Sequence, residues 1–399
     1  MSALLAAQDA ASAAAPAGDL GGWLHDLSPF VFRLPNGFGP RWYGLSYLAG
    51  FLIGWLVLKR LARRGLIAIP EHRVADAIML VVLGVVVGGR LGYCLVYRPG
   101  LFIDFSPETL LGLDLPVWGV LKIWDGGMAS HGGMAGVIVA AWRISRGFKA
   151  ETENGAIITE GRCPPLHVLD ALALVAPFGL LLGRIANFIN GELLGRVVAG
   201  PGERLSGPMR WVAVRYPQER LEPGLAPELA PDQRLALLRL LNDYTDPAAK
   251  FGERYTALLE LLRSGDPAAR ADIARRLEPL IAARLPSQLV QALAEGVIVG
   301  LVVWFVARLP RRPGVVGAWF LIAYGVLRLG TELVRLPDAH FGGGGLLDAA
   351  RPLGLTRGQW LSAAMVIAGA ALLRRASRVE GPRLLGWLTR GPAAQPEAG

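Results

Sequence analysis

The chain has 399 residues, of which 53% are hydrophobic and 18% charged, with a mean hydropathy of +0.40. This is more continuous apolar sequence than a soluble domain needs, and it argues for a chain that crosses a membrane. The net charge of +9 falls in clusters between apolar runs, which describes a membrane topology rather than a nucleic-acid partner.

The N-terminal MSALLAAQDAASAAAPAGDL lacks the basic and long apolar regions of a cleaved signal peptide and reads as an Ala-rich tail. Runs long enough to cross the hydrocarbon core follow near 43–58, 76–97, 126–142, 167–189, 288–307, 315–335 and 358–374. Basic clusters follow the first, third, fifth and last of them: Lys59, Arg60, Arg63 and Arg64; Arg143, Arg146 and Lys149; Arg308, Arg311 and Arg312; Arg374, Arg375 and Arg378. All of these land on one side, so the expected fold is membrane all-α. It is a polytopic bundle of about seven transmembrane helices, N-terminus outside and C-terminus inside.

Between the fourth and fifth spans, residues 197–287 form an expected small mixed α/β extracytoplasmic cap. PDQRLALLRLLNDY, FGERYTALLELLR and DPAARADIARRLEPLIAARL repeat apolar residues at helical spacing, with Asp232 and Asp266 as expected N-caps, and MRWVAVRYP alternates like a strand. The chain thus divides into an arm (1–40), four spans (41–196), the cap (197–287), three spans (288–375) and a cytoplasmic tail (376–399). That tail is read as disordered, in preference to lying on the inner surface through Leu384, Leu385 and Trp387. The topology separates Cys94 from Cys163, and the five histidines are scattered, so neither a disulfide nor a metal site is expected.

Ionisable side chains at membrane depth are functional-site hypotheses by default. Tyr43 opens the first span, Arg90 lies in the second and His131 in the third. Arg184, Asn187 and Asn190 crowd the end of the fourth, and Arg328, Glu332 and Arg335 occupy the sixth. All fall in the outer half, which points to a shared cavity. Arg184 and Asn187 share a face at i,i+3; Tyr324, Arg328 and Glu332 form a stripe at i,i+4,i+8, in which Glu332 can orient Arg328. Asn190-Gly191-Glu192 supplies turn chemistry, with positive φ available at Gly191 and close backbone approach at Gly195.

Two guanidinium groups on different helices suit a lipid phosphodiester, bound by bidentate forks that lysine cannot copy. Their alternative role is as structural partners of Glu192 and Glu332. Arg90, flanked by Gly88, Gly89 and Gly92, and His131 within SHGGMAG equally suit tight helix packing, Asn187 and Asn190 a helix cap, and Tyr43 and Tyr324 interfacial anchors. A lipid or anion transporter or flippase lined by the same arginines is the competing class, but neither internal symmetry nor polar residues in the inner half support it.

RWYGLSYLAGF (41–51), GGRLGY (88–93), WDGGMASHGGMAGV (124–137), GRIANFINGELLGR (183–196) and YGVLRLGTELVRLPDA (324–339), in this order, resemble prolipoprotein diacylglyceryl transferase. The resemblance implies transfer of the sn-1,2-diacylglyceryl group of phosphatidylglycerol to the lipobox cysteine thiol of a prolipoprotein, with release of glycerol phosphate. It also implies a bacterial inner-membrane protein with its active site toward the outer leaflet. Positions matching the family's essential residues are Tyr43, His131, Arg184, Asn187, Glu192, Gly195, Tyr324, Arg328 and Glu332.

For that chemistry His131 is the first candidate for the thiol base and Glu192 the second, Arg184 and Arg328 stabilise the departing phosphate, and no cofactor is required. The family usually reads His-Pro-Ser-Gln-Leu-Tyr-Glu after the cap. Here LPSQLVQ (285–291) keeps Pro286, Ser287 and Gln288 but has Leu285, Val290 and Gln291 at the other differing positions.

Overall fold

A computed structural model of the chain describes residues 20–34, 39–110, 113–123, 126–221, 224–335, 356–378 and 383–388. The expected tail up to residue 19, and the part of the C-terminal tail beyond residue 388, lie outside the described residues.

The described chain is mostly helical. In order come α1 (Trp42–Arg63), α2 (Val74–Val96), α3 (Ser130–Ser145), α4 (Pro165–Asn190), the single turn α5 (Met209–Val212), α6 (Pro231–Tyr244), α7 (Phe251–Ser264), α8 (Pro267–Leu277), α9 (Ser287–Ala307), α10 (Val315–Thr331) and α11 (Arg357–Arg378). Each expected span overlaps one of these helices, although α3 begins at Ser130 rather than 126 and α10 ends at Thr331 rather than 335. Among the described residues, four are long and apolar enough to cross a membrane: α1, α2 with the 3-10 turn before it (Glu71–Val96), α4 and α9, of 22, 26, 26 and 21 residues. At 1.5 Å per residue each covers a hydrocarbon core of about 30 Å. Helix α10 is apolar but shorter, α3 has 16 residues, and α11 carries basic residues in its last turn.

The chain forms two compact units, and the divisions between them fall inside helices. The first comprises Met1–Tyr47, Leu180–Gly296 and Val326–Ala363. Its sheet has four short strands in the order Trp23–Leu24, Val214–Arg215, Ala283–Arg284, Val197–Ala199, with only the first pair parallel. Beside it α6, α7 and α8 bury one apolar stripe each, through Leu237, Leu240 and Leu241, Tyr255, Leu258 and Leu262, and Ile273 and Leu277. The helical spacing of these residues predicts such a core. Asp266 caps α8 as expected, accepting from the backbone N–H groups of Ala268 and Ala269. Asp232 does not cap α6: Pro231 begins the helix, Asp232 lies in the first turn, and the Gln233 side chain instead accepts from Ala230 N at 3.1 Å. Nor is MRWVAVRYP one strand. Residues 209–212 coil into α5, and only Val214 and Arg215 join the sheet.

The second unit comprises Leu48–Gly179, Val297–Gly325 and Ala364–Gly399. Here α2 and α3 cross at backbone contact: a Cβ at Gly136 would lie 1.8 Å from Gly84 O, and one at Gly132 would lie 2.2 Å from Gly88 O. The glycines around His131 are therefore a packing face. Asp170 of α4 accepts from the N–H groups of Gly314 and Gly317, both at 2.7 Å, and so satisfies orphan donors at the start of α10. Residues 383–388, expected in a loose tail, are instead held by the chain. Leu384–Leu385 pairs antiparallel with Pro310–Arg311, and Leu385 N donates to Leu66 O at 2.9 Å.

Candidate functional site

The first unit holds most of the expected site. Arg184, in the last turns of α4, directs Nη2 (2.9 Å) and Nε (3.1 Å) at one carboxylate oxygen of Glu295. The other oxygen of Glu295 accepts from Arg328 Nη1 at 3.3 Å, and Arg328 Nη2 lies 3.2 Å from Glu332. Glu332 also accepts from the Thr356 hydroxyl at 3.4 Å. The Arg328–Glu332 pair is the i,i+4 contact expected from spacing. Arg184 meets Glu295 rather than Glu192.

Glu295 is the residue missed in the sequence. It is 0% exposed, whereas the side chains of Arg184 and Arg328 are 17% and 12% exposed. Its signal was available, since SQLVQALAEGVIVGLVVWF is an apolar helix with one acidic residue at depth. The local fold explains how it reaches both arginines. Residues Ala292–Ile298 of α9 form a π turn, which re-aims side chains relative to a regular helix, and a Cβ on Gly296 would lie 2.6 Å from Leu181 Cβ of α4. Only glycine allows α9 and α4 to approach so closely there.

Glu192 lies in the loop that follows α4. Its two oxygens accept from Asn187 Nδ2 at 3.3 Å and Asn190 Nδ2 at 3.2 Å, and its N–H donates to Asn187 O at 3.0 Å. Gly191 has the positive φ expected of it (+70°), and Leu193 is left-handed as well (+55°), a conformation that costs a non-glycine residue energy. The retained Ser287 and Gln288 hold this loop. Ser287 Oγ donates to Leu193 O at 2.8 Å, and Gln288 Nε2 donates to Glu192 O while accepting from Tyr216 Oη at 3.1 Å.

Gly195 lies where a Cβ would meet Leu285 O at 2.1 Å, and it pairs with Arg335 in an isolated bridge. The close approach expected at Gly195 is thus to protein backbone. Gln291, between Gln288 and Glu295 on α9, is 0% exposed and neither amide atom has a partner among the described residues.

His25 braces the same loop from the N-terminal strand. Its Nε2 lies 2.8 Å from Phe188 O and its Nδ1 2.9 Å from Gln218 Nε2, which assigns the proton to Nε2. Burial is the main cause holding its pKa down, at about 4, opposed by the Phe188 carbonyl and helped by Arg263.

Tyr43, also in this unit, stacks edge-on with Tyr47 at 5.1 Å. Arg90, His131 and Tyr324 belong to the second unit. His131 is exposed, with its ring 5.9 Å from that of Tyr97. Tyr324 stacks on Phe320 and lies one turn before Arg328 on α10. Arg90 is 4% exposed and donates to the carbonyls of Gly119, Val120, Lys122, Gly126 and Gly127. Five such bonds match its five N–H groups.

Chemically, the first unit fixes two guanidinium groups on a single buried carboxylate. A guanidinium remains charged at any physiological pH, so this pair suits a phosphate or phosphodiester. The pairing with Glu295 also limits the cost of holding two like charges close together.

Residues 29–375 match a family model described as prolipoprotein diacylglyceryl transferase. The chain is similar to the phosphatidylglycerol–prolipoprotein diacylglyceryl transferase of Bdellovibrio bacteriovorus, 36% identical over 378 residues, 91% of this chain and 97% of that protein. Proteins of the same description from Stenotrophomonas maltophilia and Neisseria gonorrhoeae are 34% and 32% identical, over 88% and 86% of this chain and 92% and 94% of their own lengths.

Proposed function

Given that the chain belongs to the prolipoprotein diacylglyceryl transferase family, we propose that Arg184 and Arg328 hold the phosphodiester of phosphatidylglycerol while a prolipoprotein thiol displaces it. The chain is a membrane transferase that moves the diacylglyceryl group from phosphatidylglycerol to prolipoprotein, a step of lipoprotein maturation. Neither the fold nor the relatives favour a transporter.

In the proposed reaction the lipobox cysteine sulfur forms a thioether bond to the glyceryl carbon as the C–O bond to phosphate breaks. Glycerol phosphate leaves with that electron pair, and the thiol proton passes to a base. Negative charge grows on the departing phosphate, where two largely buried guanidinium groups fixed on Glu295 stabilise it more than they stabilise the ground state. His131 is the proposed base, supported by its exposure and the SHGGMAG motif, with Glu192 as the second candidate. Tyr324 completes the catalytic set, and Tyr43, Asn187, Gly195 and Glu332 are assigned to the substrate's surroundings. Arg90 is assigned to the substrate's surroundings as well, where it positions the backbone whose carbonyls it gathers, from Gly119, Val120 and Lys122 to Gly126 and Gly127.

The observation that carries this reading is the Glu295 carboxylate shared by both arginines. The finer topology belongs to the same proposal: about seven spans in the bacterial inner membrane, the N-terminus outside, the cap outside between the fourth and fifth spans, and the site facing the outer leaflet.

Mass spectrometry of a synthetic lipobox peptide, after incubation with purified protein and phosphatidylglycerol, tests the reaction. The expected product is a diacylglyceryl adduct on cysteine, absent when the peptide carries serine. No adduct, from folded protein that binds phosphatidylglycerol, would overturn the assignment.

A further inference from the structure

The second unit contains a cleft lined by none of the residues assigned to the transferase reaction. Val57, Arg60 and Leu61 line it from α1 and Arg64 from the turn that follows, joined by Trp304 of α9 and by Trp387, and it encloses about 210 Å³. Val57, Arg60 and Leu61, at i, i+3 and i+4, share one helix face, and Arg64 follows at i+7 in the next turn. The opposite wall is built by the C-terminal segment. Gly386 N donates to Ala307 O at 3.0 Å, Leu388 N to Arg308 O at 3.1 Å and Trp387 Nε1 to Trp304 O at 3.4 Å. Leu385 adopts φ +68° while 2% exposed, so the chain accepts backbone strain to place Trp387 there.

Charge distinguishes this cleft from an ordinary groove between helices. Four basic residues lie in the last turns of α1 and the turn after it. Lys59 and Arg63 are matched by Glu71, at 3.9 and 2.6 Å. Arg60 and Arg64, which are exposed and line the cleft, have no ion-pair partner among the described residues. An apolar slot edged by two indoles and two unmatched guanidiniums, at the end of a membrane-crossing helix, has the chemistry of the headgroup boundary.

We propose that this cleft binds an anionic glycerophospholipid as a structural ligand, with Arg60 and Arg64 on its phosphate and the upper acyl chain between Trp304 and Trp387. The site lies at the end of α1 opposite Tyr43, and it stands apart from the transferase assignment. The lipid pins residues 383–388 against the chain.

Native mass spectrometry of the full-length protein, loaded with phosphatidylglycerol or with phosphatidylcholine, reads this directly. The variant R60Q/R64Q is expected to retain one phosphatidylglycerol molecule fewer than wild type while still forming the peptide adduct, and R60K/R64K to retain the wild-type number. Equal retention by wild type and R60Q/R64Q would overturn the proposal, as would equal retention of phosphatidylcholine by wild type at that site. A second measurement needs no variant. In phosphatidylcholine nanodiscs, added phosphatidylglycerol is expected to slow amide exchange at residues 383–388 several-fold, and unchanged exchange would overturn the proposal.

Discussion

Glu295 holds the candidate site together, because both arginines spend donors on it and its carboxylate has no exposure to water. Removing one partner of a buried ion pair leaves uncompensated charge and typically costs about 3–5 kcal/mol. Glu295→Gln is therefore expected to lower the thermal transition markedly and to reduce kcat at least tenfold with a smaller change in KM, since the guanidiniums remain but lose their aim. Wild-type kcat in this variant would refute that role. Gln291 makes the opposite case. A buried amide without a partner costs roughly 1–3 kcal/mol, so Gln291→Leu is expected to leave the thermal transition unchanged or raise it. A clear fall in that temperature would mean that the amide is satisfied in the folded protein.

Between helices, glycine decides what can pack. At Gly136 the partner is backbone, 1.8 Å from where a Cβ would sit, and a carbonyl cannot rotate away as a side chain can. Gly136→Ala is expected to push α2 and α3 apart and lower detergent stability by several degrees. Gly179→Ala, a helical position with nothing within 4 Å, is expected to be neutral or slightly stabilising, because alanine has the better helix propensity. Equal effects would show that the α2–α3 contact contributes little. The sheet element carries its own pH dependence through His25. Folded, its pKa lies at about 4, below an unfolded value near 6.5, so as pH falls from 6.5 to 4 the unfolded chain takes up a proton that the folded chain refuses. Stability present above pH 6.5 is lost through this window, by about 3 kcal/mol at its limit. Urea unfolding followed across these pH values should therefore be flatter in His25→Gln, and identical slopes would rule the histidine out.

For the whole molecule, the proposed topology makes a prediction independent of chemistry. Alkaline phosphatase fused after Lys250, in the cap, is expected to be active in cells, and a fluorescent protein fused to the C-terminus is expected to fluoresce. The reverse pattern would invert the membrane orientation and put the arginines on the inner leaflet.

By itself the amino-acid sequence determined where the apolar helices run, because burial in hydrocarbon demands long uncharged segments whatever their neighbours are. It also determined the Arg328–Glu332 contact and the positive φ of Gly191, both local consequences of helix spacing and of a missing Cβ. Only the tertiary structure decided that Arg184 pairs with Glu295, 111 residues away, rather than with nearby Glu192. It decided as well that the Arg90 guanidinium is filled by loop carbonyls, and that residues 209–212 coil instead of extending. Each of these depends on which surfaces meet in space, and the period of a sequence carries no information about the partner an arginine finds across a helix interface.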